Sequence, residues 1–224
     1  MDEPDIAMNA PPTSQGHAAY LDLEHRLVTL QLRPGGLYTE KAIIEMVGLG
    51  RTPVREAIQR FAWEGFMEVH PRLGVKIAEI RPEDYPRVIE PRLTLEPLLA
   101  RSAARYGGPA EKENIAAAMQ AMLASTERGD ITGYLQQDKA LDEALSAAAA
   151  NPFLPRILAP LQTHSRRFWY QYQGSEDLDD AAQAHAAMSE AVLSGDAERA
   201  FSSMRALMDH MFEQSRKLAH YEAG

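Results

Sequence analysis

The chain has 224 residues, with 23 Lys and Arg against 32 Asp and Glu, and its formal net charge is −9. This balance excludes a uniformly basic protein that coats nucleic acid. The sequence contains no cysteine, which excludes disulfide frameworks, zinc–thiolate sites and thiol nucleophiles. No apolar run approaches the roughly 18 residues of a membrane-spanning helix, so we expect a soluble cytoplasmic protein.

The composition changes along the chain and predicts three segments. Residues 1–17 are acidic and contain Pro, Ser and Gly, which predicts a disordered tail. Residues 18–80 hold eight acidic and eight basic side chains, whereas residues 83–220 are acidic and rich in Ala, Leu, Glu and Arg. Pro82 marks the boundary between the two, because proline disfavours helix in the residue before it. We therefore predict two folded domains, joined by a hinge near Arg81.

Three short helices are predicted at the start of the second segment. The first covers about residues 18–31, and Thr39 is a suitable N-cap for the second. Thr52 followed by Pro53 predicts the start of the third, with Thr52 as its N-cap. Apolar residues at helical spacing give each helix one buried face. They are Leu21, Leu23, Leu27, Leu30 and Leu32, then Ala42, Ile43, Met46 and Val47, then Val54, Ala57, Ile58 and Phe61.

The third helix has a second, polar face that predicts contact with DNA. Thr52, Arg55 and Gln59 recur on this face with Glu56, and Arg51 precedes the predicted start. In a helix-turn-helix, the second helix places such an N-terminal face in the major groove, where arginine binds guanine bidentately. An arginine-bearing face is also typical of an ordinary solvated helix, and the pattern alone leaves both interpretations open.

A β-hairpin is predicted directly after these helices. Residues 67–70 and 75–78 read as its two strands, with Val75 and Ile77 pointing inward and Lys76 outward. A hairpin in this position is a wing, and Arg72 at its tip could reach a neighbouring phosphate or the minor groove. The pattern favours a winged helix-turn-helix.

These elements resemble the GntR superfamily of bacterial winged-helix transcription regulators. The resemblance rests on four stretches: Leu32-Arg33-Pro34-Gly35, Gly50-Arg51-Thr52-Pro53-Val54-Arg55-Glu56-Ala57-Ile58, Glu64-Gly65-Phe66 and Pro71-Arg72-Leu73-Gly74. It implies that DNA-contacting positions are occupied by Lys41, Arg51, Thr52, Arg55 and Gly74. Gly50 stands where the family usually has Ser or Thr, so this chain lacks that hydroxyl for DNA contact.

The third segment predicts an all-α bundle. Gly, Asn and Pro breaks separate helices near residues 83–106, 110–128, 131–149, 153–173, 180–194 and 197–219. Pro91 and Pro97 fall inside the first of these and predict a kink or a shorter helix. The whole chain is thus predicted to be mainly α, with an N-terminal winged helix-turn-helix and a C-terminal helical bundle.

Acidic residues and histidines in the bundle are candidates for chemistry. Asp138 and Asp142 lie four residues apart on one helix face, and together with His185 they could hold a divalent metal or share a proton. Acids at this spacing are also typical of a solvated face, and His185 and His210 of surface or capping groups. Arg166 and Arg167 flank an aromatic cluster that we assign to core or dimer contacts, with no role in a site: Phe168, Trp169, Tyr170 and Tyr172.

The bundle resembles the effector-binding (FCD-type) domain of the FadR-like branch of the superfamily. The matching stretches are Asp130 through Asn151-Pro152, His185 with Ala191 and Gly195-Asp196, and Arg92 before Leu95-Glu96. Many members bind a divalent metal such as Zn, Ni or Mn through one aspartate and three histidines, and the metal receives the carboxylate of a small organic acid.

Only part of that ligand set is present in this chain. By spacing, Asp138 matches the aspartate and His185 the second histidine, whereas Asp142 and Leu207 occupy the other two histidine positions. His210 lies one helical turn beyond Leu207 and could substitute for it only if the helix were shifted; otherwise the site has at most three protein ligands. This favours a pocket without metal, in which Arg92, and with it Asp138, Asp142 and His185, would bind the effector.

These observations predict a transcription regulator that responds to a ligand and is not an enzyme. It would bind a palindromic DNA operator as a homodimer, because two-fold pairing doubles the contacts of one winged unit. A small organic acid would be the effector, acting by its different affinity for two states of the protein. The alternatives are a metal-dependent enzyme using Asp138, Asp142 and His185, or a helical interaction module that has lost DNA binding.

Overall fold

The computed structural model describes residues 14–172 and 178–222, with side chains up to residue 219. The chain divides into two compact units, one of residues 14–27 and 31–78 and the other of residues 28–30 and 79–222. Within the described ranges, no helix combines the length and the apolar character that crossing a membrane requires.

The N-terminal unit has three helices and three strands among its described residues. In chain order they are α1 (Gln15–Val28), β1 (Leu37–Tyr38), α2 (Glu40–Val47), α3 (Arg51–Trp63), β2 (Met67–His70) and β3 (Gly74–Ile77). Because α1 begins at Gln15, residues 15–17 are helical, and their assignment to the tail was wrong. Residues 1–13 of the predicted tail lie outside the described part.

The strands form one antiparallel sheet in the order β1–β3–β2. Met67 lies opposite Ile77 and Val69 opposite Val75, which is the predicted hairpin. Val75 and Ile77 point into the core, as predicted. The sequence did not predict β1, because two residues carry too little pattern; Leu37 and Tyr38 become a strand only by pairing with β3.

Aromatic and charged side chains attach α1 to α3. The Tyr20 ring stacks on Phe61 with 4.3 Å between centroids, and its hydroxyl donates to Glu64 Oε2 at 2.9 Å. Arg60 Nε donates to Glu64 Oε1 at 2.8 Å, and its guanidinium lies over the Tyr20 ring. Burial, followed by the charges of Glu24 and Glu64, raises the pKa of Tyr20. The apolar face of α3 is thus fixed to the core, which leaves its other face outward.

The two predicted helix caps have different outcomes. Thr39 caps α2 as predicted, since its Oγ1 accepts from the backbone N–H of Ala42 at 3.1 Å. The predicted cap of α3 was wrong: Gly50 is the N-cap, with no side-chain hydrogen bond, and Thr52 and Pro53 are already inside the helix. Proline fits anywhere in the first turn, where a backbone N–H has no partner in the helix, so Thr52-Pro53 left the start uncertain by two residues.

The C-terminal unit is helical, as predicted. After a 3₁₀ turn over Pro82–Asp84 come α4 (Tyr85–Tyr106), α5 (Pro109–Glu127), α6 (Ile131–Ala148), α7 (Leu154–Gln171), α8 (Leu178–Leu193) and α9 (Ala197–Glu222). The shorter helix predicted from Pro91 and Pro97 was wrong, because α4 runs through both. The last predicted residue of α7, residue 173, lies outside the described part.

The core of the bundle is mostly apolar but contains a polar region. Leu99, Ile115 and Met122 are completely buried among aliphatic neighbours from several helices. A different set of buried side chains is polar or charged: Arg92, Glu96, Gln162, Thr163, Ser165, Arg166 and Arg167. Buried charges are costly unless they are paired. This polar region is therefore the part of the bundle in which a ligand-binding site can lie.

Candidate functional site

The outward face of α3 is the first candidate surface. Arg51, Thr52, Arg55 and Gln59 are all exposed, while Val54, Ala57, Ile58 and Phe61 on the opposite side are buried. Arg51, Arg55 and Gln59 follow one another at intervals of four residues, which places them on one face of the helix. The structure thus presents the side chains that a recognition helix needs, near the N-terminal end of α3.

Two exposed ion pairs involve the candidate DNA contacts. Arg55 Nε lies 3.2 Å from Glu40 Oε1 at the start of α2, and Lys41 Nζ lies 3.6 Å from Glu45 Oε1 within α2. Such exposed pairs contribute little stability. They leave both cations free to exchange a carboxylate for a phosphate or a base edge at little cost.

The wing has a tight turn with its basic residue at the tip. Arg72 is exposed and has φ of +67°, and Gly74 has φ of +125°. A Cβ atom at Gly74 would collide with the backbone carbonyl of Tyr38, which is part of β1. Gly74 is therefore required for the close packing of the wing on β1, and Arg72 is the wing side chain best placed to meet DNA.

The second candidate site is a cavity in the helical unit. It offers about 40 Å³ to the centres of water molecules, enough for more than one of them. Its polar lining comes from Arg92 on α4, Asp138 on α6, Gln162, Ser165 and Arg166 on α7, His185 on α8 and His210 on α9. Tyr134, Trp169, Leu207 and Met211 supply apolar walls. A few convergent polar groups in an otherwise apolar cavity are typical of small-molecule sites.

Asp138 and Asp142 point the same way, as predicted, and they share one cation. Nη1 of Arg166 donates to Asp138 Oδ2 at 3.0 Å and to Asp142 Oδ2 at 2.7 Å. Its Nη2 donates to Thr163 Oγ1 at 3.3 Å. The Arg166 side chain is only 7% exposed, so these charge-assisted hydrogen bonds operate away from bulk water.

The two carboxyl groups have opposite environments. Burial opposes ionisation of Asp138, but hydrogen bonds from His185 and Arg166 and their positive charges outweigh it and lower the pKa of Asp138. Burial, followed by the negative charge of Asp138, raises the pKa of Asp142 to about 7. Two buried carboxyl groups this close do not ionise independently, and the first proton is lost from Asp138.

His185 joins the same cluster from α8. Its Nε2 lies 3.3 Å from Asp138 Oδ1, and its Nδ1 lies 2.8 Å from the carbonyl oxygen of Ala181. Burial favours the neutral ring, but the hydrogen bond and charge of Asp138 and the Ala181 carbonyl outweigh it, and the pKa of His185 is raised. Both ring nitrogens therefore face oxygen acceptors, and the Tyr134 ring packs edge-on against the imidazole.

Arg92 has its own buried partner. Its Nε donates to Glu96 Oε1 at 3.0 Å, and Gln162 Nε2 donates to the same oxygen at 3.0 Å. Glu96 Oε2 is buried and has no hydrogen-bond partner among the residues that the structure describes. Burial works against the charge of Arg92, but Glu96, Asp142 and Asp138 more than compensate and raise its pKa. The predicted anion-binding arginine is thus charged, oriented and at the cavity wall.

These residues do not fit a divalent metal as they are arranged. A guanidinium, not an open space, lies between Asp138 and Asp142, and Leu207 has no donor atom. Among the described residues, no group of three or more His, Asp or Glu side chains is arranged to hold a metal ion. Zinc and related metals need such a donor set with free lone pairs at about 2.0–2.3 Å.

Sequence reasoning missed Arg166, Gln162 and Trp169 as cavity residues, and Glu96 as the buried partner of Arg92 and Gln162. A signal for Arg166 was available: it lies eight residues after the buried Leu158 and four after Gln162, on the inward face of α7. An arginine on the buried face of a helix requires a buried acidic partner. The adjacent aromatic cluster suggested packing instead, and Trp169 in fact lines the cavity.

Comparison with known protein families gives a match for each of the two units. Residues 87–210, more than half of the chain, match the FCD domain, and residues 15–77 match the bacterial regulatory proteins of the gntR family. The chain belongs to the gntR family. The predicted resemblance and fold class are thereby confirmed: this gntR-family regulator is mainly helical, with a winged helix-turn-helix and a helical FCD domain.

Curated relatives of this gntR-family regulator are transcription regulators. One is an uncharacterized HTH-type transcriptional regulator of the TAR-I ttuE-ttuC' intergenic region of Agrobacterium vitis, 32% identical over 136 residues, which are 59% of this chain and 80% of that protein. Another is a probable D-xylose utilization operon transcriptional repressor of Paenarthrobacter nicotinovorans, 27% identical over 85% of this chain and 82% of that protein. The prediction of a DNA-binding transcription regulator, and not an enzyme, is confirmed.

A solved structure has the same fold. McbR/YncC of Escherichia coli superposes with a TM-score of 0.77, covering 94% of this chain and 99% of that chain. The sequence identity is 19%, so this likeness concerns the fold alone.

Proposed function

We propose that this gntR-family regulator binds a palindromic operator as a homodimer, and that a small carboxylate in the helical unit changes its affinity for that operator. The exposed polar face of α3, with Arg51, Arg55 and Gln59 in line, is the observation that carries the DNA part. The cytoplasm, where bacterial operators lie, is the place of action.

The contacts available to one chain support the homodimer. One helix-turn-helix with its wing offers few cations, here Lys41 on α2, Arg51 and Arg55 on α3 and Arg72 on the wing, with Thr52, Gln59 and the backbone at Gly74 as further contacts. A two-fold pair doubles these contacts and matches two half-sites one helical turn, or a multiple of it, apart. Most soluble oligomers are symmetric in this way.

The cavity supports a carboxylate effector. Arg92 and Arg166 line it with fixed positive charge, His185 adds a third basic group, and the apolar wall formed by Trp169 and Leu207 suits a short hydrocarbon body. The effector acts on DNA binding only if it binds the DNA-competent and DNA-incompetent states with different affinities. The acids Asp138 and Asp142 hold Arg166 in place and in this proposal do not contact the effector.

The test is selection of bound DNA from a random pool, followed by titration of the selected sequence with small acids. We expect an inverted repeat bound by two chains, and a shift in operator affinity with a mono- or dicarboxylate that the corresponding amide does not produce. D-xylose, the sugar in the name of the Paenarthrobacter relative, is the uncharged comparison.

Each part of the proposal has a contrary outcome. A single half-site bound by one chain would overturn the homodimer. An equal response to acid and amide, or a response to D-xylose alone, would overturn the carboxylate.

A further inference from the structure

We infer that the guanidinium of Arg166 supplies, from within the chain, the positive charge that a divalent metal supplies in other members of this family, and that the cavity of this protein takes no such metal. An effector carboxylate would then meet arginine side chains directly. This consequence rests on the proposed function, whereas the inference itself concerns only the protein and metal ions.

The position of Arg166 is the first argument. Its Nη1 is within 3.0 Å of Asp138 Oδ2 and 2.7 Å of Asp142 Oδ2, so one nitrogen bridges the two carboxylates. These two residues are the ones that match ligand positions of the family. Their facing oxygen atoms accept N–H groups here, and a metal would have to displace the guanidinium to reach them. Displacement would separate a buried guanidinium from both carboxylates, which is unfavourable in a protein interior.

The remaining ligand positions are the second argument. His185 places Nδ1 2.8 Å from the Ala181 carbonyl oxygen and Nε2 3.3 Å from Asp138 Oδ1, so a metal could use Nε2 only by breaking its contact with Asp138. Leu207, at the last ligand position, is a buried hydrocarbon side chain. Among the described residues, no three His, Asp or Glu side chains are arranged to hold a metal ion, and His210, which also lines the cavity, does not complete such a set.

The permanence of the charge is the third argument. Two buried carboxyl groups that face one point can both be ionised only with a cation between them, and here Arg166 is that cation. Arginine stays protonated at any physiological pH and cannot dissociate from the chain, unlike a metal ion. Arg166 thus keeps the cavity assembled whatever the metal supply, and the response to effector is expected to be insensitive to chelators.

The direct test is metal analysis of the full-length wild-type protein. Elemental analysis after purification without chelator should find no stoichiometric Zn, Ni or Mn. Calorimetric titration with Zn²⁺ should show no one-to-one binding, and EDTA should leave Tm unchanged. One bound metal per chain that chelator removes with a fall in Tm would overturn the inference.

A second test removes the guanidinium and restores the family's ligands. The triple variant Asp142→His, Arg166→Ala, Leu207→His should gain one-to-one Zn²⁺ binding and a higher Tm with metal. Its matched control, Asp142→His with Leu207→His and Arg166 intact, should gain neither. Equal binding by both variants, or none by a folded triple variant, would show that Arg166 is not what excludes the metal. Because the wild-type titration stands alone, the inference remains open to refutation even if a variant does not fold.

This test is independent of the proposed function. A metal-binding wild type would refute the role of Arg166 without affecting operator binding. Failure to select an operator would refute the proposed function and leave the metal result intact.

Discussion

Single side chains determine what each surface can do, and Arg55 is the clearest case. It lies on the outward face of α3, and its Nε is held 3.2 Å from Glu40 on α2. The pair orients the guanidinium while leaving the side chain 62% exposed. An arginine with this freedom and this position is suited to bidentate contact with guanine in the major groove.

We expect Arg55→Ala to weaken specific operator binding by about 1–3 kcal/mol, or roughly fivefold to 150-fold, for each half-site, because one bidentate base contact is lost from each of them. A gel-shift titration with the selected operator measures it. Arg105→Ala is the matched control, since Arg105 is an exposed arginine of α4 in the other unit and should not alter affinity. Unchanged affinity of the Arg55 variant would contradict the assignment of α3 as the recognition helix.

Among the helices, α3 begins at an N-cap residue that has no side chain to cap the helix. Gly50 is its N-cap and forms no side-chain hydrogen bond, although the first turn of the helix presents its backbone N–H groups there. A Cβ at Gly50 would meet only the Pro53 ring, at ordinary contact distances of 3.6 Å and more. A serine therefore fits without strain at the position where the family usually has Ser or Thr.

We expect Gly50→Ser to strengthen operator binding about fivefold for each half-site, since a hydroxyl at this helix end adds one phosphate contact of about 1 kcal/mol there. The free energy of unfolding should rise by only a few tenths of a kcal/mol, because Pro53 has no N–H and only the N–H of Thr52 can be capped. Gly50→Ala is the control, as it adds Cβ without the hydroxyl. Equal affinity of the Ser and Ala variants would show that no phosphate lies within reach of this position.

Most elements were predictable from local pattern, and the exceptions have physical causes. Apolar periodicity and turn residues located the helices of both units to within a few residues. Strand β1 could not be predicted, because its two residues are ordered only by pairing with β3. The bounds predicted for α4 were close to those observed, but the shorter helix considered because of Pro91 and Pro97 was wrong, since packing of the bundle outweighs the local cost of the two prolines.

For the whole molecule, the net charge of −9 works against non-specific attachment to DNA. The N-terminal unit is different, because residues 20–80 carry as many basic as acidic side chains. Some of its cations, Arg51 and Arg72 among them, are exposed at the recognition helix and the wing. Sequence-specific binding to DNA is thus expected to depend on a few exposed basic side chains of α3 and the wing.

Operator affinity should fall steeply with salt, because each phosphate contact releases counterions. Lys41, Arg51, Arg55 and Arg72 in both chains of a dimer give a limiting slope of log K against log salt of about −7. Lys41→Gln should reduce the slope by roughly 2, one contact per half-site. Anisotropy titrations across a salt series provide both numbers. A flat dependence would contradict phosphate contact by these residues.

The fold class, the helix-turn-helix with its wing, the helical bundle and the family were all predictable from the amino-acid sequence. They were predictable because helix periodicity, turn residues and the Arg51–Ala57 motif are local features that neighbouring residues decide. The alignment of Asp138 and Asp142 on one face also follows from local helix geometry.

What those aspartates face depends on the packing of the helices. Arg166 on α7 reaches them across 24 to 28 positions of the chain, Gln162 on α7 donates to Glu96 on α4, and Leu207 on α9 lines the cavity. Spacing along the chain predicts which groups share a helix face. It cannot predict which helix supplies the opposing charge, because burial of that charge depends on how the helices pack.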